Sequence, residues 1–138
     1  MLIASQILEK TYIMSKNDKL KKLYLKYNLT PDDVFTSPLG FTIITRSGID
    51  KIQGVEKVEV QYHLESLSAE HDFCVIKALA RKGEFHIETF GESSPLNTKN
   101  KYPVAMAQKR AMSRAILKIT GFYELGVFGE DESDEFKK

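Results

Sequence analysis

The residues whose spacing most invites chemistry are three cations, Arg110, Arg114 and Lys118, which recur at i, i+4 and i+8 and so form one row along any helix that carries them. Lys109 falls on the opposite flank. Neither arginine has an acid three or four positions away, because residues 106, 107, 113, 114, 117 and 118 are Met, Ala, Ser, Arg, Leu and Lys. Within their own helix the two arginines therefore repel instead of pairing. The row is expected to be left free for an outside anion, against the alternative of a merely solvated helix face. It also lies off the apolar side of the helix, so replacing both arginines with alanine is expected to leave the fold intact.

Other candidate constellations lead nowhere. His86-Ile87-Glu88 has the H-x-E spacing of zinc deaminases, but that signature also needs P-C-x-x-C, and the one cysteine, Cys74, precedes it. His63 and His71 flank a hairpin loop without a cysteine partner, so no metal site is expected. Asp32 and Asp33 read as acids at a helix start, favoured there by the helix dipole. Nucleophile elbows, phosphate loops, dinucleotide fingerprints and H-E-x-x-H are absent. Nothing calls for an enzyme or a cofactor.

The element that positions the cationic row spans Tyr102 to Gly121. Pro103 suits a first helical turn and Gly121 the position past the end. Val104, Ala105, Ala107, Ala111, Met112, Ala115, Ile116 and Ile119 share one broad face, which is expected to be core. Ala107 and Ala111 are small and one turn apart, so the backbone can press closely against a sheet.

Before it, Leu2 to Asn28 reads as helix, broken around Ser15 to Asp18, with its lysines read as a solvated face. Thr30-Pro31-Asp32-Asp33 reads as the start of a short helix capped by Thr30. Phe41 to Thr45 is a brief strand and Arg46 to Gly54 one or two helical turns. Val58, Val60, Tyr62 and Leu64 alternate with Glu59, Gln61, His63 and Glu65, a strand with one core face and one wet face. Phe73 to Ala80 and Phe85 to Phe90 complete an antiparallel meander. Gly91 to Lys101 is polar and turn-rich, and ends in Lys99 and Lys101 beside the helix N-terminus, where an anion is favoured. Phe122 to Phe128 is too apolar for water and is expected to dock on this core or on a neighbouring subunit.

The 138 residues, 42% hydrophobic, suit one α+β domain that buries roughly two-thirds of its unfolded surface. This domain is expected over residues 1–128, followed by an acidic tail over 129–138. Taking the tail's five acids and two lysines from the chain's 19 acids and 20 bases leaves 14 acids and 18 bases in residues 1–128. The body is mildly basic. A single cysteine fits a reducing compartment, and the first residues lack the basic start and continuous apolar run of a signal peptide, so a cytoplasmic location and no membrane association are expected.

The order of helix, short strand, short helix, three-stranded meander, polar loop and long helix resembles the core of the single-strand annealing superfamily. This group includes phage Erf-like and Red-beta-like recombination proteins and the eukaryotic annealing protein of the Rad group. Three stretches carry the likeness: Phe41 to Gln53, Tyr102 to Ala111 and Gly121 to Glu132. The resemblance implies a non-enzymatic, ATP-independent protein of DNA recombination and repair that forms rings or filaments and holds single-stranded DNA in a basic groove. If phage-encoded, it would act in the bacterial host cell. It carries DNA contacts over to Arg46, Lys109, Arg110 and Arg114; geometry adds Lys51 and Lys118, and the loop adds Lys99 and Lys101. The small surplus of positive charge asks for an oligomer, which repeats a weak stripe into a continuous track. The tail is expected either to compete with DNA for the groove or to recruit a replication or recombination protein. The alternative reading is a small interaction or regulatory protein that docks a partner through Phe122 to Phe128 and the acidic tail, without nucleic acid.

Overall fold

The computed structural model describes residues 15–97 and 102–132. Its elements in chain order are α1 (Lys16–Lys26), β1 (Val34–Thr36), β2 (Thr42–Ile44), α2 (Arg46–Glu56), β3 (Glu59–Ser68), β4 (Phe73–Lys82), β5 (Phe85–Ser93), α3 (Pro103–Ile119), a 3-10 turn (Tyr123–Leu125) and β6 (Val127–Gly129). The architecture is α+β, with an antiparallel meander β3-β4-β5 packed on the long helix α3. A second sheet, of order β1-β2-β6, pairs β2 with β6 in parallel and β2 with β1 antiparallel.

Helix α3 lies between the two sheets. It packs on β4 and β5 on one side and on β6, α2 and the 3-10 turn on others. Ala107, Ala111, Met112, Ala115 and Ile116 are buried as the periodicity requires. Val104 is 42% exposed, while Arg110, Ser113 and Leu117 are fully buried, so the core surrounds more of the helix than one stripe. The close approach rests on Gly91, where a Cβ would collide with the Ala107 carbonyl oxygen and the Ala111 amide nitrogen. Thr89 Oγ1 donates to the Ala111 carbonyl at 2.6 Å in the same contact. Small residues on both surfaces bring helix and sheet backbones together.

Several local expectations are corrected. Thr30 to Asp33 form a turn leading into β1, not a helix. The reason lies in Asp33, whose carboxylate accepts from the Thr30 N–H at 2.9 Å, from Ser47 Oγ at 2.7 Å and from Lys51 Nζ at 2.7 Å. It ties the turn to the first turns of α2 and has no part in a dipole. The wet-core alternation of β3 holds only at one end: Val58 is buried, but Leu64 is 57% exposed, since α3 lies chiefly over β4 and β5 and meets β3 only near Tyr62. Phe122 to Phe128 docks on its own core. Phe122 is fully buried, with its ring centroid 5.8 Å from that of Tyr27 and 6.3 Å from that of Tyr24, both on or beside α1. Of the residues expected in the acidic tail, Gly129 belongs to β6 and residues 130–132 form a helical turn. Residues 133–138 and the expected helix before Ser15 lie outside the described residues.

Glu56, at the end of α2, joins α1 to the meander. It accepts from Tyr27 Oη at 2.6 Å and pairs with Lys26 at 2.9 Å and Lys82 at 2.7 Å. The Lys82 ammonium first, and then the Tyr27 hydroxyl, pull its carboxyl down from 4.5 to about 2 against the opposing effect of burial. A depressed acid contributes stability that is present above its unfolded pKa and is lost as pH falls through its folded value. Stability should therefore decline between pH 4.5 and about 2, and Glu56→Gln should lose stability at neutral pH while declining less steeply in that window, as read from urea midpoints. The helix–sheet contact gives a second expectation. Gly91→Ala should cost about 1–3 kcal/mol by overpacking, whereas Gly54→Ala, in an open position of α2, should add about 0.5–1 kcal/mol.

Candidate nucleic-acid interface

The cationic row on α3 is not free. Arg110 is completely buried. Its Nη1 donates to the Glu92 carbonyl at 2.9 Å and to Asn97 Oδ1 at 3.1 Å, its Nη2 to the Asn97 carbonyl at 2.6 Å, and its Nε to the Asp131 carbonyl at 3.1 Å. Arg114 grips both carboxylate oxygens of Glu92, at 2.9 and 3.0 Å, and donates to Glu132 at 3.1 Å and to the Phe90 carbonyl at 2.7 Å. Burial works against the Arg114 charge, but the Glu92 and Glu132 carboxylates outweigh it and hold the guanidinium above its ordinary pKa. In return, chiefly through the Arg114 hydrogen bond, the Glu92 carboxyl sits below its usual range. Both arginines have been given to the fold.

These partners are 13 to 24 residues away in sequence. No acid lies within helical reach of either arginine, and the partners come from outside the helix. The signal that could have found them is the coincidence of two unpaired arginines in α3 with Asp131 and Glu132 shortly after it.

Lys51 is likewise committed, since its ammonium closes on Asp33, which is almost wholly buried. That ammonium is the largest influence holding the Asp33 carboxyl below the usual range, followed by the Thr30 amide. Lys118 is exposed in the last turn of α3, where the helix dipole favours a cation. Lys99 and Lys101 lie outside the described residues.

What the fold does bring together is Arg46 and Lys109. They line a cleft of about 160 Å³ with Tyr62, Ala105, Gln108 and Met112. Three elements supply it: the first turn of α2, the middle of β3 and one flank of α3. At about 100° per residue, Gln108 and Met112 each lie about 160° around the helix from Arg110. The cleft is thus on the side of α3 turned away from the consumed arginines. Thr45 caps α2, its Oγ1 accepting from the Gly48 N–H at 3.3 Å, and so fixes Arg46 at the helix mouth. Arg46 pairs loosely, at 3.5 Å with Asp50 and 3.9 Å with Asp131, and its Nη1 is buried without a hydrogen-bond acceptor. That nitrogen is the one facing the Asp131 carboxylate, in an ion pair too long to be a hydrogen bond, so its donor capacity is left over. Lys109 is exposed and has no partner among the described residues. Tyr62 hydrogen-bonds Gln108, and burial, the largest effect, raises its phenol despite the opposing Arg46 charge and that hydrogen bond. Sequence reasoning named the two cations and missed Tyr62, Gln108 and Met112, since only the fold shows that β3 passes beside α3 there.

A larger cleft of about 270 Å³ opens on the other face of the meander, lined by Glu59, Gln61, Leu79, Arg81 and His86. Glu59 sits opposite Arg81 in the strand register, so the cleft offers balanced charge and no anion site. Among the described residues no group of three or more His, Cys, Asp or Glu side chains is placed to hold a metal ion, and Cys74 is fully buried, which raises its thiol. No helix among them is long and apolar enough to cross a membrane.

Comparison of the chain with protein families, with curated proteins and with solved structures gives no match in any of the three.

The expectation that alanine at both arginines spares the fold is therefore replaced by its opposite. Arg110→Ala strips donors from three partly buried carbonyls and leaves a void where a fully buried side chain stood, and should cost about 3 kcal/mol, measured as a drop in urea midpoint. Lys109→Ala, at an exposed helical position, should change the midpoint by less than about 0.5 kcal/mol. Equal stability losses in the two variants would contradict the assignment of Arg110 to the core.

Proposed function

We propose that this protein binds single-stranded DNA and promotes annealing of complementary strands without ATP, acting as a homo-oligomer, with the strand crossing the Arg46–Lys109 cleft. The observation that carries the reading is the pair of cations brought to one cleft from two elements, one of them with a buried donor lacking an acceptor. Tyr62 between them offers an aromatic surface for a base, and stacking of that kind is worth about 1–3 kcal/mol per base. Phosphate contacts and stacking together suit a single strand, whose bases are accessible, better than a closed duplex.

Two phosphate contacts per subunit give weak binding. Each neutralised phosphate contributes about 0.7 to the slope of log affinity against log salt for a single strand, so the cleft supplies about 1.4. Useful affinity then requires the cleft to be repeated in register along the strand, which supports the homo-oligomer. The apolar segment Phe122 to Phe128, which first suggested a subunit interface, no longer argues for one, because Phe122 and Val127 are buried in their own chain. The same burial leaves the partner-binding alternative less apolar surface in this segment, where Tyr123 is exposed and Leu125 and Phe128 half-buried. Of its acids, Asp131 and Glu132 are also engaged internally, with Ser113 and Arg114.

The test is binding of a labelled oligothymidylate across a salt series, together with annealing of two complementary oligonucleotides. Arg46→Gln with Lys109→Gln should flatten the salt slope by about 1.4 per subunit engaged and slow annealing while the melting temperature holds. A parental slope in a folded double variant, or a strictly monomeric protein that neither binds nor anneals, would sink the proposal.

A further inference from the structure

The charge surplus of the body resides on α1, the helix read from sequence as merely solvated. Its eleven residues carry five lysines, Lys16, Lys19, Lys21, Lys22 and Lys26, against one acid, Asp18. All five lysines are exposed. Lys26 pairs with Glu56, but Lys16, Lys19, Lys21 and Lys22 form no ion pair with any described residue. Lys19, Lys22 and Lys26 follow one another at i, i+3 and i+7 and so line one side of the helix, repelling at spacings where an acid would have stabilised it. Glu56 offsets it at Lys26, and Asp18, four positions before Lys22, is the one acid of the helix set against it.

Two facts narrow what the surface fits. The apolar side of α1 is already used: Leu20 and Tyr27 are buried in the core, with Leu23 and Tyr24 packed against it, and among the large apolar residues of the helix only Leu25 is exposed. An interfacial membrane helix needs that side for the acyl boundary, so a lipid surface is disfavoured. The exposed side also carries no aromatic ring, because Tyr24 and Tyr27 turn inward against Phe122. It can therefore meet a phosphate backbone but offers nothing on which a base could stack. Duplex nucleic acid presents such a surface, with bases enclosed and about one charge per 1.7 Å of axis.

We infer that the exposed lysine face of α1, centred on Lys19 and Lys22, is a second nucleic-acid surface, distinct from the Arg46–Lys109 cleft, that holds the backbone of duplex DNA without reading sequence. A protein with both surfaces separates the two forms of its ligand, single strand in the cleft and duplex on the helix. The inference stands on the charge and exposure of α1 alone and does not require the cleft to bind.

The test compares the full chain with Lys19→Gln/Lys22→Gln and with Arg46→Gln/Lys109→Gln, using a short labelled duplex, a labelled oligothymidylate and vesicles of phosphatidylcholine with phosphatidylserine. Glutamine keeps the helix propensity and relieves like-charge repulsion, so the α1 variant should melt no lower than the parent. It should lose about 1.8 from the duplex salt slope while its oligothymidylate slope is kept; the cleft variant should keep its duplex slope. An unchanged duplex slope in the α1 variant overturns the inference, as does an equal loss for both DNA forms, or tight vesicle binding without duplex binding. Loss of duplex binding in the α1 variant with no effect of the cleft variant on oligothymidylate would support this surface and refute the cleft.

Discussion

Burying the Arg110 guanidinium obliges the chain to surround it with acceptors, since an unpaired charge removed from water costs far more than the fold can spare. Those acceptors come from the end of β5, from Asn97 in the loop that follows, and from Asp131 beyond β6. One side chain thereby holds together three segments that no sheet or helix connects. Arg114 repeats the arrangement one turn later with Glu92 and Glu132. Satisfying the pair fixes where the loop leaves the meander and where the chain runs after its last strand.

This constraint redistributes the charge of the molecule. Three of the cations that seemed available are spent within the fold: Arg110 on backbone carbonyls and Asn97, Arg114 on Glu92 and Glu132, and Lys51 on Asp33. Among the cations that remain outside, Arg46 and Lys109 meet across a cleft and the lysines of α1 cluster on another surface, while Lys57, Arg81 and Lys118 are scattered. A modest surplus of positive charge, spread evenly, would argue for no partner. Its clustering on one helix and at one cleft is what supports the proposal of a polyanionic partner.

Much of the architecture was legible in the sequence because it is local and periodic. The alternation from Val58 onward states a strand, though its inner face ends at Tyr62, and the turns between strands and the spacing of Ala107, Ala111 and Ala115 state the meander and a buried helix face. Even the close approach of helix and sheet was legible from Ala107 and Ala111, although its counterpart, Gly91, was hidden in what read as loop. What failed did so for a common reason, namely that a polar side chain's partner can lie anywhere in the chain. Asp33 read as a dipole partner at a helix start and serves instead as the acceptor that joins a turn to α2. Arg110 and Arg114 read as free because their acids are beyond helical reach. Of the candidate site, the cations Arg46 and Lys109 could be named, but Tyr62 could not, since nothing in a strand's alternation says which helix will pass beside it.

Backbone amide chemical shifts, followed while a short oligothymidylate is titrated into isotope-labelled protein, test the central claim most directly. Shifts concentrated at Arg46, Tyr62, Gln108 and Lys109, with the amides of Arg110 and Arg114 following only as neighbours, are the result expected of a strand in the cleft. Binding that leaves those four amides unmoved and instead releases Arg110 and Arg114 from Glu92, Asp131 and Glu132 would contradict it.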